Sequence, residues 1–129
     1  MKNIKTKFGI TLMELILVVI AIAFFTSFAI PQYNGVITNA RQKSARIQLS
    51  VMQSAQEIFF SDNGYYYPSS GTADVSSINS HLNIAVTEDD MKFQCTASGS
   101  TFQCTAKYPK TGTAVWTCTA TQSSSEPTC

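Results

Sequence analysis

A single histidine, His81, stands in this chain of 129 residues, and only 13% of the residues are charged. Histidine is the usual general base and a frequent metal ligand. One copy in a Ser/Asn-rich stretch leaves a serine or cysteine nucleophile without a paired base, and reads as a plain surface residue. No GxSxG, Walker, HExxH or GxGxxG motif occurs. Glu88-Asp89-Asp90 lacks the alternating ligands and glycine of a calcium loop. It reads as a solvated turn, with a contact to Arg41, Lys43 or Arg46 of a neighbouring subunit as the sharper alternative. These absences assign no catalytic residue and no cofactor, and they disfavour a membrane-anchored enzyme.

Positive charge is scarce where a partner would meet it. Three of the nine basic residues, Lys2, Lys5 and Lys7, precede Gly9; without them eight acidic side chains face six basic ones, a formal −2 in place of +1. Beyond residue 61 the basic residues are Lys92, Lys107 and Lys110. General nucleic-acid binding needs clustered Lys and Arg, so none is expected.

What the chain does have is one long apolar run. From Ile10 to Ile30 every residue but Thr11, Glu14, Thr26 and Ser27 is apolar. As a helix rising about 1.5 Å per residue, it covers the roughly 30 Å core of a bilayer. A carboxylate inside such a run is costly and is kept when it meets a specific cation. The most available cation is the free α-amino group of a chain cut just before Ile10. An ordinary signal peptide cleaved after Ser27-Phe28-Ala29 is the rival, but its apolar core would be too long and Glu14 would be a defect in it.

Gly9-Ile10-Thr11-Leu12-Met13-Glu14-Leu15-Ile16, running on to Phe28-Ala29-Ile30-Pro31-Gln32-Tyr33, resembles the type IV prepilins. The likeness covers about residues 5 to 67 and ends at Asn63-Gly64-Tyr65-Tyr66-Tyr67-Pro68. It implies a basic leader removed after Gly9, N-methylation of Ile10, and assembly roles for Glu14 and Pro31. It also implies as partners a prepilin peptidase, an assembly ATPase, a platform protein and further copies of the chain in a helical filament. Two positions depart from the family pattern: Ile10 stands where Phe is usual, and Ala23 where Gly is frequent. By the positive-inside rule the lysines before Gly9 hold the N-terminus in the cytoplasm. The precursor is then expected as a single-pass protein of the bacterial inner membrane, and the assembled form as an extracellular pilus.

The helical pattern continues to Ser61, broken only by Pro31 and Gly35. Pro31 removes a backbone donor and crowds the preceding turn, so it reads as a kink or hinge. Ile37, Ala40, Ser44, Ile47, Val51, Ala55 and Ile58 form one stripe at spacings of three and four, and Ala45, Leu49, Met52 and Phe59 a neighbouring one. The pattern predicts a wide apolar face that meets both a head domain and another helix. Phe59 and Phe60 with Tyr65, Tyr66 and Tyr67 read as core packing.

The last third carries a repeat. Phe93-Gln94-Cys95-Thr96-Ala97 recurs as Phe102-Gln103-Cys104-Thr105-Ala106 and as Trp116-Thr117-Cys118-Thr119-Ala120. Each unit alternates, with aromatic, Cys and Ala on one face and Gln and Thr on the other. This predicts a three-stranded antiparallel meander, with Cys95 beside Cys104, Cys104 beside Cys118, and Phe93 and Trp116 each opposite Ala106. The gaps between the four cysteines are too wide for the paired ligands of a zinc site, so they read as disulfides of an oxidising compartment. Cys95–Cys104 with Cys118–Cys129 is preferred, and Cys104–Cys118 with Cys95–Cys129 is the rival.

The expected class is α+β: a long N-terminal helix packed on a small, disulfide-bonded antiparallel head. The expected divisions are a leader 1–9, a membrane or filament-core half 10–30, an amphipathic half 31–61 and a head 62–129. Within the head, 62–90 is expected as a loop region, 91–120 as the meander and 121–129 as a C-terminal loop. Two other functions stay open: a type II secretion pseudopilin, and a minor tip pilin that binds DNA or a receptor.

Overall fold

The computed structural model describes residues 10–129, apart from the side chains of residues 28–32. The leader with Gly9, and the side chain of Pro31, lie outside the described residues. The fold is α+β. It divides into two compact units, Met1–Thr38 and Asn39–Cys129.

From Leu12 onward the first unit is a stretch of α1, the helix Leu12–Asn63. Its large apolar side chains point outward on every side. Leu12, Met13, Leu17, Ile20, Phe24 and Phe25 are each more than 60% exposed. Thr26 and Ser27 return their hydroxyls to the Ala23 carbonyl at 2.9 and 3.0 Å, so the helix satisfies its own polar side chains. The helix continues through Pro31.

The second unit holds the remainder of α1, then β1 (Ser70–Asp74), α2 (Val75–Leu82), β2 (Lys92–Ser98), β3 (Thr101–Tyr108) and β4 (Trp116–Thr121). The strands form one antiparallel sheet in sequence order. Gly64 ends α1 at φ 78°, its N–H bonded to the Phe60 carbonyl at 2.8 Å, the left-handed cap that glycine adopts without strain. Phe93, Cys95, Ala97, Phe102, Cys104, Ala106, Cys118 and Ala120 fill the covered face of the sheet. They share a core with Ala45, Leu49 and Met52 of α1 and Val75 and Ile78 of α2.

Three expectations are corrected. First, the sheet has four strands: the stretch expected as a loop, 62–90, contains β1 and α2. Ser70–Asp74 has little strand propensity, but its backbone pairs with β2 from Ser70↔Ser98 to Asp74↔Gln94, and context overrides propensity in sheets. Asp74 then caps α2 by accepting the Ser77 N–H at 3.2 Å. The Ser77 hydroxyl and amide hold its carboxyl below the usual carboxylate range.

Second, β4 lies two residues away from the expected register. Cys104 faces Ala120, Ala106 faces Cys118 and Tyr108 faces Trp116. A shift of two keeps every side chain on its face. The tight fit it gains is a Tyr108–Trp116 stack with centroids 5.5 Å apart. The β2–β3 register, with Cys95↔Cys104 and Phe93↔Ala106, is as expected. Its two-residue turn places Gly99 at φ 62°, the first central position of a tight hairpin.

The wide helix face is divided by the head. Ala45, Leu49 and Met52 are fully buried, whereas Ile47, Val51 and Ile58 remain 47–65% exposed. Third, the acidic turn, expected as solvated or facing a neighbouring subunit, is bound within the chain. Asp90 pairs with Arg41 at 3.1 Å and Glu88 with Lys110 at 3.0 Å. The Arg41 guanidinium lies 4.7 Å over the Tyr108 ring.

Candidate functional site

The N-terminal segment carries the chemistry that the sequence singled out. Thr11 and Glu14 form a reciprocal cap at the start of α1. The Thr11 N–H and hydroxyl both donate to Glu14 Oε2 at 3.0 Å, and the Glu14 N–H donates to Thr11 Oγ1 at 3.3 Å. Two otherwise unpaired amide groups of the first turn are satisfied in this way. The Thr-x-x-Glu spacing of a capping box was present in the sequence as Thr11-Leu12-Met13-Glu14, a signal overlooked beside the cost of the charge. Among the described residues Glu14 Oε1 has no hydrogen-bond partner. Ile10, the expected new N-terminus, is 76% exposed one residue before this cap.

Around Glu14 the surface is apolar. Ile10, Leu15, Leu17, Val18 and Val19 form one shallow hollow with it, and Met13, Ile16, Leu17 and Ile20 another. Monomeric proteins seldom expose contiguous apolar patches beyond a few hundred Å², so this face calls for a cover. The expected span, 10–30, extends into residues whose side chains are not described. Among the described residues no helix is long and apolar enough to cross a membrane. At about 1.5 Å per residue, Leu12 to Ser27 covers roughly 24 Å.

The head is braced where it leaves the sheet. Cys95 is bonded to Cys104, and Cys118 to Cys129, the preferred pairing. Cys95, Cys104 and Cys118 are fully buried. Thr119 and Thr128 exchange two backbone hydrogen bonds, of 2.7 and 2.9 Å, which lays the expected C-terminal loop, 121–129, along β4. The loops closed by the two bonds span 9 and 11 residues; loops of this size give about 2–3 kcal/mol each by chain-entropy arithmetic. Non-reduced peptide mapping is expected to return these two pairs, and recovery of Cys104–Cys118 or of four free thiols would refute the arrangement.

Three side-chain amides, which sequence reasoning missed, hold the irregular segments in place. Gln56 is fully buried. Its Oε1 accepts the Tyr67 N–H at 2.9 Å and its Nε2 donates to the Tyr67 carbonyl. Asn79 does the same for Val86, at 2.9 and 2.8 Å. Gln53 donates to the Thr121 and Ser124 carbonyls at 3.3 and 2.6 Å. A side-chain amide offers the donor–acceptor pair of a peptide group, so Gln56 and Asn79 each satisfy both backbone groups of one residue, and Gln53 satisfies two carbonyls. Glutamines on a helix face read as solvated from sequence. The available signal was their position: Gln56 continues the spacing Ala45, Leu49, Met52.

His81 is exposed and stacks on Tyr67 with centroids 4.3 Å apart, its Nδ1 2.9 Å from the Ser77 carbonyl. The expected aromatic packing is present: Phe60 stacks on Tyr66 at 4.5 Å, and Tyr66 meets Phe102 at 4.7 Å. Among the described residues no group of three or more His, Cys, Asp or Glu is placed to hold a metal. Comparison with family models, with curated proteins and with solved structures finds no match.

Proposed function

We propose that this chain is the structural subunit of a type IV pilus, made as a prepilin in the inner membrane, cleaved after Gly9, methylated on Ile10 and polymerised through its N-terminal helix. The carrying observation is the helix start. An apolar surface exposed on all sides, from Leu12 to Phe25, holds a single carboxylate in its first turn. A lipid bilayer covers such a surface before assembly, and the same surface of neighbouring copies covers it afterwards.

Glu14 has two tasks in this reading. Oε2 accepts from Thr11 and fixes the carboxylate at the helix terminus. Oε1 is left to receive the charged α-amino group of Ile10 from an adjacent copy. Within a bundle that excludes water, an unpaired carboxylate is expensive and a paired one is compensated. The pairing therefore sets the axial offset between copies as well as attracting them. The disulfide-bonded head fits a compartment outside the cytoplasm.

Intact-mass and N-terminal peptide spectrometry of the purified protein tests the processing step. The expected terminus is monomethylated Ile10. A terminus at Met1 or at Ile30 would overturn the reading.

A further inference from the structure

The outward face of the sheet is nearly neutral, built from threonine, serine and glutamine on alternate positions of β1 to β4. One end of it departs from this. Lys92 on β2 and Lys107 on β3 are direct cross-strand partners. Like charges opposite each other, with Cβ atoms about 5 Å apart, destabilise a strand pair. The next neighbour across the sheet offers no relief, because Lys107 faces Thr117 on β4. Among the described residues neither Lys92 nor Lys107 has a carboxylate partner, although Arg41 and Lys110 both have one.

The two lysines line a cleft of about 390 Å³ together with Gln94, Lys110, Thr111 and Gly112, with Pro109 and Ala114 as its apolar wall. The β3–β4 connection forms that wall and is held there from below: the Lys110 N–H donates to the Asp90 carbonyl at 2.9 Å. Glu88 and Asp90 are already engaged, Asp90 by Arg41 at 3.1 Å, and for Glu88 both oxygens are taken. Glu88 Oε2 takes Lys110 Nζ at 3.0 Å and Oε1 the Phe93 N–H at 3.1 Å. Asp74, the carboxylate on the strands themselves, is turned to the Ser76 hydroxyl and Ser77 amide of α2. Among the described residues Lys92 and Lys107 thus line a concave surface with no carboxylate within ion-pair distance.

We propose that this cleft binds a phosphate-class oxyanion carried on a small polyhydroxylated body, such as a phosphorylated sugar or glycerol. Lys92 and Lys107 take the dianionic group between them, which converts their repulsion into two charge-assisted hydrogen bonds. The cleft lies within the 300–1,000 Å³ range of small-molecule sites, too large for a bare tetrahedral ion. The Gln94 amide and the Thr111 hydroxyl supply donors and acceptors for the hydroxyl groups of the body. The exposure of the lysines sets the expected strength: weak, salt-sensitive binding with a Kd of about a millimolar. The site lies wholly on the head and stands independently of whether the chain assembles into filaments.

The test is an amide-shift titration of the full-length, isotope-labelled protein in detergent micelles at low salt. Glycerol 3-phosphate, inorganic phosphate and uncharged glycerol are the probes. Saturable shifts confined to Lys92, Gln94, Lys107, Thr111 and Gly112 are expected with glycerol 3-phosphate and not with glycerol. K92Q/K107Q is expected to weaken binding about tenfold or more, while K43Q leaves it unchanged. If the double variant does not fold, K107Q alone carries the comparison, with a weakening of about threefold. Unsaturable shifts spread over all lysines, or a K107Q variant that binds as the parent does, would overturn the site. Tighter binding of the ester than of inorganic phosphate supports the organic body, and equal binding removes it from the proposal.

Discussion

Glu14→Gln, expressed as the only copy of this chain, is expected to reach the membrane and to be cleaved normally while filament number falls about tenfold or more, if the removed charge is the one that pairs in a water-free bundle as proposed. The geometry makes this substitution clean. A glutamine side-chain oxygen still accepts the Thr11 N–H and hydroxyl now taken by Oε2, so the capping box persists and the helix starts where it did. What disappears is the charge available to an incoming α-amino group. Thr11→Val separates the two tasks from the other side, because it keeps the charge and removes one donor that holds the carboxylate in place. A smaller loss of filaments is expected there. Counting pili by electron microscopy, with processing followed by blot, decides between the two tasks. Normal piliation of Glu14→Gln alongside normal cleavage would show that the carboxylate serves only to cap the helix.

Gln56→Leu is expected to be the most damaging single change in the head. Leucine is close in volume and favours the helix, so α1 itself is unharmed. The loss falls on Tyr67, whose N–H and carbonyl both depend on the Gln56 amide. Each buried backbone group left unpaired costs about 1–3 kcal/mol, partly offset by the gain in apolar burial, for a net near 3 kcal/mol. For a domain of this size that is a fall of roughly 15 °C in melting temperature. Gln56→Glu discriminates packing from hydrogen bonding: it can still accept from the Tyr67 N–H but cannot donate when ionised. Thermal unfolding followed by circular dichroism checks both. A melting temperature within a degree or two of the parent for Gln56→Leu would mean that Tyr67 finds other partners.

The two variants mark the limits of what the chain's pattern reveals. The long helix was legible because apolar residues at spacings of three and four continue past the apolar run, and the β2–β3 hairpin because Phe-Gln-Cys-Thr-Ala recurs nine residues on. Cys95–Cys104 follows directly from that hairpin. The choice between helix stripes was not legible. Ile47 and Leu49 are equally apolar, and the sheet covers the side that carries Ala45, a small residue admitting close approach, with Gln53 and Gln56 in place to reach backbone groups. β1 escaped notice because Ser70-Gly71-Thr72-Ala73-Asp74 has turn-like composition and owes its extension to a neighbouring strand. β4 slipped by two because alternation fixes the face of a residue but not its partner. At the N-terminus the pattern singled out Glu14, while its bond to Thr11 emerged only with the backbone around it.

Both disulfides join head residues to each other; Cys129 Sγ accepts from Arg46 Nε of α1 at 3.4 Å, but no covalent bond ties the head to that helix. If the proposed filament forms and carries tension along its helices, the load enters each head through α1 and its uncrosslinked contacts. If those contacts yield, the strands begin to peel, and the covalent links then limit how far the subunit can lengthen. The loops they close, of 9 and 11 residues, cannot add to the stretched contour; at about 3.5 Å per residue, each withholds roughly 30–40 Å. A filament of these heads would therefore stiffen early under pulling and retain the β2–β3 hairpin after the rest of the sheet had opened.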